Sequence, residues 1–250
     1  RGKYPDPPER VIINDAVCEG CGDCSVQSNC VAVRPLETEL GRKRTIDQSA
    51  CNKDFSGLKG FCPSFVTVSG GRLRKSRAVL AEVELPVLPE PVLPALARPW
   101  NTVVTGIGGT GVLTVSAILG MAAHLEGKGC TVLNQSGLAQ KFGPVVSHVR
   151  IGRRQADIHA VRVAAGDADL LLGCDLVVSA SGDPLAKVDI ERSHAIVNAF
   201  ESPTAAFTRD PDVDFPAAAM KARIEEEVGP GKSAFIDATR IATALLGDAI

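Results

Sequence analysis

The chain has 250 residues, enough for one or two domains of ordinary size. Hydrophobic residues make up 45% and charged residues 22% of it, and this balance excludes extensive disorder. The formal net charge of −2 and the 4% of aromatic residues give no basis for a nucleic-acid-binding surface. No apolar run approaches the roughly 18 residues of a transmembrane helix. We therefore expect neither nucleic acid nor membrane as a partner.

The two ends of the chain predict that it is a piece of a longer polypeptide. It begins at Arg1 without a methionine or a signal-peptide pattern, and it ends at Ile250 within an apolar helical pattern. Further domains are therefore expected outside these residues.

Six of the eight cysteines lie close together near the start of the chain. Cys18, Cys21 and Cys24 follow one another at intervals of three, and Cys62 is followed by a proline. Three thiolates at this spacing wrap a loop around one face of an iron–sulfur cubane, and a distant cysteine before proline supplies the fourth ligand. The spacing predicts one [4Fe–4S] cluster, in a ferredoxin-type domain that carries electrons.

The other two cysteines form an incomplete second set. Cys51 is followed by Asp54 and Gly57 where a regular run would have two more cysteines, and Cys30 would supply the crossing ligand. Asp54 can ligate iron through its carboxylate, but Gly57 has no ligand atom. A second cluster is therefore short of ligands, and Cys30 and Cys51 can instead be structural thiols.

Two other interpretations of the cysteines are open. A zinc site usually pairs C-x2-C with a second pair or with histidines, which would leave the third cysteine of the triplet unused. A disulfide framework fits the even number of cysteines, but residues three apart on one tight loop pair poorly with each other.

Proline marks the boundary between two parts of the chain. Five prolines fall within residues 86–99, and such a run favours an extended, semi-rigid linker. The sequence predicts three segments: residues 1–80 as a small ferredoxin-like α+β domain, 81–99 as the linker, and 100–250 as an α/β domain incomplete at its C-terminus.

The second part alternates strand and helix patterns. A helix is predicted from Val112 to about Leu125 and another over 216–228. The predicted strands are 102–105, 130–133, 147–151, 175–179, 195–199 and 234–237. This alternation predicts a doubly wound, Rossmann-like domain with a parallel sheet covered on both faces.

A glycine-rich turn follows the first of these strands. Gly106, Gly108, Gly109 and Gly111 match G-x-G-x-x-G between a strand and a helix, where free amides and a partial positive charge attract anions. A dinucleotide site also needs an acidic residue at the end of the second strand, where Asn134 stands instead. The open interpretations are a phosphate or carboxylate site, a dinucleotide site, and a turn that serves only packing.

Few other side chains indicate chemistry. Lys141, His148 and Arg150 could face an anion or a catalytic centre, although such residues more often lie at a surface or an interface. His124 is expected to be exposed or packed. No catalytic triad, paired catalytic carboxylates or H-E-x-x-H motif is visible, so the catalytic residues stay unknown.

Taken together, the motifs resemble those of the 2-oxoacid:ferredoxin oxidoreductases, and in particular the indolepyruvate ferredoxin oxidoreductases. The resemblance rests on residues 14–24, 27–30, 51–55 and 59–65 around the cysteines, and on 106–112 and 137–144 in the second part. The family usually has a cysteine at the position of Gly57. The likeness covers nearly the whole chain.

The resemblance implies a function. Such enzymes decarboxylate an aryl-2-oxoacid on thiamine diphosphate with Mg, pass electrons through iron–sulfur clusters to ferredoxin, and release an acyl-CoA. By this likeness residues 1–80 relay electrons and 100–250 form the gamma-type domain. The thiamine-binding domains would lie elsewhere in the same polypeptide or on another subunit, within a cytoplasmic oligomer. This fragment alone is expected to be inactive, and CoA enters as co-substrate only by analogy.

Two alternatives from other classes accompany this interpretation. One is an iron–sulfur adaptor that transfers electrons without catalysis. The other is a nucleotide-linked reductase with a ferredoxin domain. It is disfavoured because Asn134 stands where a dinucleotide site would have an acidic residue.

Overall fold

The structure, a computed structural model, describes residues 7–48, 50–59, 62–71, 89–137, 143–204, 207, 210 and 212–246. The chain divides into two compact units. The first, here the cysteine unit, comprises Arg1–Lys75 and Pro203–Phe215, and the second, here the sheet unit, comprises Ser76–Ser202 and Pro216–Ile250. Among the described residues no helix is long and apolar enough to cross a membrane.

The cysteine unit contains two small antiparallel sheets. Strand β1 (Glu9–Ile13) pairs with β4 (Phe65–Ser69). Strands β2 (Val33–Thr38) and β3 (Gly41–Ile46) form a hairpin. A short helix, α1 (Asp23–Ser28), and a 3-10 turn (Ser56–Lys59) pack against each other. The α+β composition agrees with the expected class, while the ferredoxin-like topology stays a prediction.

The core of the cysteine unit includes thiols as well as aliphatic side chains. Ile13, Cys18 and Val33 are buried together. Four partly buried side chains pack against them: Cys24, Cys30, Ile46 and Phe65. Three of the six clustered cysteines therefore share one apolar core.

The sheet unit is built on six strands. They are β5 (Trp100–Ile107), β6 (Gly129–Ser136), β7 (Pro144–Gly152), β8 (Leu170–Gly173), β9 (His194–Asn198) and β10 (Ser233–Ile236). Their order across the sheet is β10-β9-β8-β5-β7-β6. The helices are α2 (Val112–Leu125), α3 (Leu176–Ser179), α4 (Gly182–Leu185), α5 (Ala217–Val228) and α6 (Ala238–Leu246).

The sheet is mixed, so the expectation of a parallel sheet was wrong in one respect. Strand β7 runs antiparallel to both of its neighbours, β5 and β6, whereas β5, β8, β9 and β10 are parallel. Only seven residues, 137–143, connect β6 to β7, and a parallel connection requires a crossover of a dozen or more. The overall α/β class is confirmed.

Helices cover both faces of the central strand. Val104 of β5 packs in a core with Val112 of α2 and with Val145 and Val149 of β7. The next side chain, Thr105, meets Ser179 of α3, their hydroxyl oxygens 2.8 Å apart. Because successive side chains of a strand point to opposite faces, α2 and α3 lie on opposite sides of the sheet.

One predicted strand was wrong. Residues 175–179 are mostly the helical turn α3, and the strand lies just before them at Leu170–Gly173. The side chain of Asp175 accepts a hydrogen bond from the Val178 amide at 2.8 Å, which caps the turn. This capping outweighs the strand preference of the β-branched run that follows it. Residues 81–88 of the predicted linker lie outside the described residues.

Opposite the glycine turn, a polar network joins the amino ends of the parallel strands. Asp169, which precedes β8, accepts a hydrogen bond from the Asn101 amide at 2.8 Å and pairs with Arg98. The Asn101 side chain donates to Asp167 at 2.9 Å and accepts from Arg150 at 2.9 Å. Because Asp169 and Asn101 are buried, these partners fix how β5 and β8 begin.

Candidate functional site

The cysteine loop begins directly after β1. Cys18 is buried, Cys21 is exposed and Cys24 lies half-buried in α1. Gly20 and Gly22 adopt φ of 77° and 78°, the left-handed region that favours glycine. The two glycines let the loop reverse between consecutive cysteines, and the Gly20 amide lies 3.4 Å from the Cys18 sulfur as a donor.

Strand β3 lies close against this loop. A Cβ on Gly20 would stand 2.2 Å from the Arg42 carbonyl oxygen, so only glycine fits there. The Lys43 ammonium donates a hydrogen bond to the Cys18 carbonyl oxygen. The Arg42 carbonyl and the Lys43 ammonium, both on β3, thus hold the loop from one side.

The remaining predicted ligands lie on three different segments. Cys62 is half-buried, and its sulfur is 3.0 Å from the Ser64 hydroxyl. Cys51 accepts a hydrogen bond from the Lys53 amide at 3.3 Å, and the exposed Asp54 accepts one from the Ser56 amide at 3.1 Å. Cys30 packs in the core beside Cys18 and Cys24.

A [4Fe–4S] cluster requires its four ligands to converge on one point. Within the described ranges, which include all six clustered cysteines, no group of three or more His, Cys, Asp or Glu side chains is gathered closely enough to hold a metal ion. The residue types suit iron, because all six thiols are free and amides donate to Cys18 and Cys51, but their sulfurs are not gathered around one point. The assignment of each ligand stays a prediction.

A buried hydroxyl directly follows Cys24 in α1. Ser25 in α1 is buried, and its hydroxyl has no hydrogen-bond partner of normal geometry in the described part of the chain. A buried polar group without a partner costs free energy unless something else binds it. The Ser25 hydroxyl interacts with the adjacent Cys24 sulfur, where it favours the thiolate.

The charge environment of Cys24 is mixed. Burial raises the pKa of the Cys24 thiol, while the Ser25 hydroxyl and the charge of Arg44 favour the thiolate. Arg44 lies on β3, is fully buried, and its guanidinium carbon stands 4.7 Å from the centre of the Phe207 ring. A buried cation therefore lies within electrostatic reach of a predicted ligand.

The four glycines of the turn serve different purposes. A Cβ on Gly106 would stand 2.4 Å from Thr110 Oγ1 and 2.8 Å from Val112, so this glycine is required by packing. Gly109 and Gly111 have φ of 101° and 86°, and a Cβ on either would meet no atom within 4 Å. These two glycines are needed for the left-handed backbone conformation, and the space beside them is open.

The amides of this turn are only partly available to a ligand. The Gly108 amide donates to the Gly143 carbonyl oxygen at 2.8 Å. Helix α2 begins after Gly111 without a side-chain cap, so its first amides are offered outward. Asn134, where a dinucleotide site would have its acidic residue, accepts a hydrogen bond from Ser147 at 2.5 Å.

The glycine turn follows β5, the strand from which the chain continues first to one side of the sheet and later to the other. From β5 the chain first forms β6 on one side and later β8 on the other, and β5 pairs with β8 in parallel. In open α/β sheets, ligands bind outside the carboxyl ends of strands at such a reversal. This position, more than the motif itself, makes the turn a candidate binding site.

Cys174 and Asn198 lie at the same sheet edge, which the sequence did not indicate. The Cys174 amide donates to the Thr105 carbonyl oxygen at 2.7 Å, and Asn198 donates to the Cys174 carbonyl oxygen at 3.2 Å. Burial, with a further contribution from Asp175, raises the pKa of the Cys174 thiol. The signal for this placement was the apolar run 170–172 followed by Gly173, which ends the strand before Cys174.

The other polar candidates are not at that edge. His148 is fully buried in β7, bonded to Gln135 at 2.9 Å and accepting from the Val163 amide at 3.3 Å. Arg150 is engaged with Asn101 and with two carbonyl oxygens. Both are therefore engaged by other residues of the sheet unit. His124 is exposed near the end of α2, and Lys141 lies outside the described residues.

Fold and site together define a class: an α/β protein with a mixed sheet and a glycine-rich first turn, joined to a small unit rich in free cysteines. The family model for pyruvate ferredoxin/flavodoxin oxidoreductase matches residues 101–249, more than half of the chain. The chain belongs to this family.

Curated relatives match the chain over shorter stretches. The indolepyruvate oxidoreductase subunit IorB of Thermococcus kodakarensis is 38% identical over 80 residues, which is 32% of this chain and 38% of that protein. The IorB subunit of Methanothermobacter thermautotrophicus is 28% identical over 130 residues, 52% of this chain and 63% of that protein. The chain thus spans less than two thirds of each relative's length.

Among solved structures, the pyruvate oxidoreductase subunit PORC of Thermotoga maritima is similar with 21% identity and a TM-score of 0.42, covering 61% of this chain and 70% of that one. The gamma subunit of keto/oxoacid ferredoxin oxidoreductase from Geobacter sulfurreducens has 15% identity and a TM-score of 0.36, covering 59% and 65%.

Proposed function

We propose that this chain is part of an enzyme that oxidatively decarboxylates an aryl-2-oxoacid, of the indolepyruvate type, to an acyl-CoA with ferredoxin as electron acceptor. The observation that carries the proposal is the combination of a cysteine-rich unit and a domain of the pyruvate ferredoxin/flavodoxin oxidoreductase family in one chain. Relatives named indolepyruvate oxidoreductase subunits support the aryl substrate.

In this proposal the cysteine unit relays electrons. Its first cluster uses Cys18, Cys21, Cys24 and Cys62, and a [4Fe–4S] cluster supplies one-electron transfer when bound. Cys30, Cys51 and Asp54 are the candidates for a second cluster. The apolar packing of Cys18, Cys24 and Cys30 limits water around the sulfurs, and the Gly20 amide donates to the Cys18 sulfur.

The sheet unit would bind an anionic group at the glycine turn. The uncapped amides of α2 and the open space over Gly109 and Gly111 suit a phosphate, such as one of CoA, or the carboxylate of the substrate. Thiamine diphosphate and Mg would be held by partner domains in the same polypeptide or on another subunit. We expect the assembly to be an oligomer in the cytoplasm, where free thiols persist.

The proposed reaction is tested on the natural assembly, purified without oxygen. Reduction of ferredoxin is measured with indolepyruvate, phenylpyruvate and pyruvate, each with and without CoA. We expect CoA-dependent reduction that is fastest with the aryl substrates. Equal rates with pyruvate would remove the aryl specificity, and the absence of reduction with every 2-oxoacid would overturn the function.

The turn is tested separately by calorimetric titration of CoA and of a non-reacting 2-oxoacid analogue. Gly109→Asp places a carboxylate in the open space over the turn, and we expect it to weaken binding of the anion at least tenfold. Gly127→Asp is the matched control, because Gly127 also has a left-handed φ, 69°, and a Cβ there also meets no atom within 4 Å. Unchanged affinity in Gly109→Asp would remove this turn from the binding site.

A further inference from the structure

Strand β6 forms one edge of the six-stranded sheet, where it pairs with β7 alone among the described strands. The Cys130 amide, at the start of the free edge, donates to the Gln155 side chain at 3.1 Å. Because alternate amides of a strand point the same way, those of Val132 and Asn134 also face the free edge. No hydrogen bond to these two amides comes from the described residues. Within that part of the chain, the edge is therefore open from Val132 to Ser136.

No side chain on this strand protects the edge from pairing with another strand. Natural edge strands usually carry charged residues, prolines or bulges that prevent such pairing. Strand β6 has the sequence GCTVLNQS, without a proline or a charged residue, and its register with β7 is continuous, without a bulge. A regular, uncharged strand with a free edge is a surface to which a further strand can be added.

Helix α2 presents an equally uncharged surface beside the edge. Its sequence contains no Asp, Glu, Lys or Arg. Val112 packs in the core with β5 and β7, whereas Gly120 lies against Val132 of β6, where a Cβ would meet the valine at 2.8 Å. At 3.6 residues per turn, the flank of α2 on the β6 side carries Leu113 and Met121, which are 48% and 57% exposed. A helix that is apolar all round is normally covered on every side.

We propose that β6 and α2 form the interface between two copies of this chain, in which the two β6 strands pair antiparallel across a two-fold axis and continue the sheet. This inference does not depend on the proposed function. Asn134 lies at the middle of the open stretch, so the axis would pass beside it. Val132 of one copy would then pair with the partner's Ser136.

A second copy is the occupant because this surface is complementary to itself. Antiparallel pairing about a two-fold axis gives each outward amide and carbonyl a partner from the same strand of the other copy. Two surfaces without Asp, Glu, Lys or Arg meet without repulsion between like charges. A surface for a charged partner would instead carry complementary charges, which neither β6 nor α2 has.

The dimensions also agree with such a dimer. Neighbouring strands are about 4.8 Å apart, and α2 lies over β6 and β7, so the two α2 helices would lie about 10 Å apart, the usual distance of packed helices. Each copy contributes a helix about 21 Å long and a strand about 27 Å long. Together they bury on the order of 1,000 Å² in total, which is the size that a specific interface needs.

The first test is photo-cross-linking in the natural polypeptide, because it identifies what covers α2. Met121 is replaced by benzoylphenylalanine, and two differently tagged copies are co-expressed so that links between copies can be recognised by mass spectrometry. We expect links from position 121 to residues 112–125 of the other copy. Links to a different polypeptide or to another segment of this chain would overturn the inference, as would a monomeric natural polypeptide.

Position 118 provides the matched control for the cross-link. Ile118 is 62% exposed on the same helix, but it lies on the side that points away from β6. With benzoylphenylalanine there, we expect no link to α2 of the other copy. Links to α2 of equal yield from positions 118 and 121 would contradict the proposed geometry.

Hydrogen exchange tests the strand pairing at the amides themselves. In the unaltered protein, the amides of Val132 and Asn134 should exchange at least tenfold more slowly than in Met121→Glu, whose charge would separate the two helices. Ile118→Glu should keep the slow exchange. Both substituted side chains are more than half exposed, so neither is needed for folding. Equal exchange of these amides in the unaltered protein and in Met121→Glu would overturn the inference.

Discussion

Gly106 and Cys174 lie side by side at the carboxyl ends of two parallel strands, so close that a Cβ on Gly106 would stand 3.1 Å from the Cβ of Cys174. The Cys174 amide also donates to the carbonyl oxygen of Thr105, the residue before Gly106, at 2.7 Å. The glycine turn is therefore packed against the end of β8 as well as against its own helix.

This close packing predicts the effect of a single methyl group. Gly106→Ala would place a Cβ 2.4 Å from Thr110 Oγ1, and we expect the overpacking to destabilise the protein by about 1–3 kcal/mol. Gly182→Ala, at a position where a Cβ meets nothing within 4 Å, should change the free energy of unfolding by less than about 0.5 kcal/mol. Urea denaturation measures both, and equal stability of the two variants would contradict the packing role.

The buried carboxylate at the opposite edge gives a second prediction. Asp169 binds the Asn101 amide and pairs with Arg98, and its side chain is 4% exposed. Asp169→Ala leaves these partners unsatisfied, and we expect a loss of about 3 kcal/mol in the free energy of unfolding. Glu126→Ala removes the exposed pair with Lys128, which spans 3.5 Å, and should cost less than about 0.5 kcal/mol. A loss for Asp169→Ala no larger than for Glu126→Ala would refute the structural role of Asp169.

The buried histidine predicts how stability depends on pH. Burial lowers the pKa of His148 from its ordinary value of 6.5, and the charges of Arg162 and Lys187 act in the same direction. As pH falls below 6.5, the unfolded chain therefore takes up a proton before the folded one does. This group then decreases the free energy of unfolding, by at most about 1.4 kcal/mol per pH unit.

The pH dependence is measured by urea denaturation between about pH 5 and pH 8. His148→Gln should be less stable at pH 8, because it loses the buried ring, but its stability should fall less steeply with acid than that of the unaltered protein. His124→Gln, at the exposed end of α2, should keep the original slope. If His148→Gln also keeps that slope, another group causes the dependence.

The sequence predicted periodic elements better than it predicted how they pair. The recurrence of Val112, Val115, Leu119 and their neighbours gave α2 with the observed bounds, because one apolar face of a long helix is enough to specify it. The strand at 147–151 was located, but its direction depends on the chain turning back after Ser136, which no local pattern encodes. The strand predicted at 175–179 was misplaced, because the side chain of Asp175 caps a helical turn there and the strand lies at 170–173.

The site was partly predictable for the same physical reasons. The spacing of Cys18, Cys21 and Cys24 is local, so the sequence shows it directly, although their role as ligands stays a prediction. Gly20 between them is required by its contact with Arg42. The buried Arg44 and its partner Phe207 are 163 positions apart, and only the folded chain brings them together. Contacts of such separation leave no periodic signal in the sequence.

A glycine pair tests how tightly the cysteine loop is packed. Gly20→Ala combines a φ of 77° with a Cβ 2.2 Å from the Arg42 carbonyl oxygen, and we expect destabilisation of at least about 2 kcal/mol. Gly57→Ala should be tolerated, because the Cβ would meet Phe65 at an ordinary 3.6 Å. Hydrogen exchange of the peptide over residues 14–30 measures the loop locally. We expect faster exchange in Gly20→Ala than in Gly57→Ala. Equal protection in the two variants would show that the loop is not constrained by β3.

The predicted ligands are tested against a cysteine of the other unit. Cys21→Ser replaces an exposed thiol of the loop, and we expect it to lose the iron and the EPR signal of the first cluster, about four irons per chain. Cys130→Ser is the matched control, because the Cys130 sulfur donates to the Gly120 carbonyl oxygen at 3.3 Å within the sheet unit, and its iron content should equal that of the unaltered protein. Zinc in place of iron, or full iron retention in Cys21→Ser, would contradict the ligand assignment of the first cluster. About eight irons in the unaltered protein would show that Cys30, Cys51 and Asp54 complete a second cluster despite Gly57.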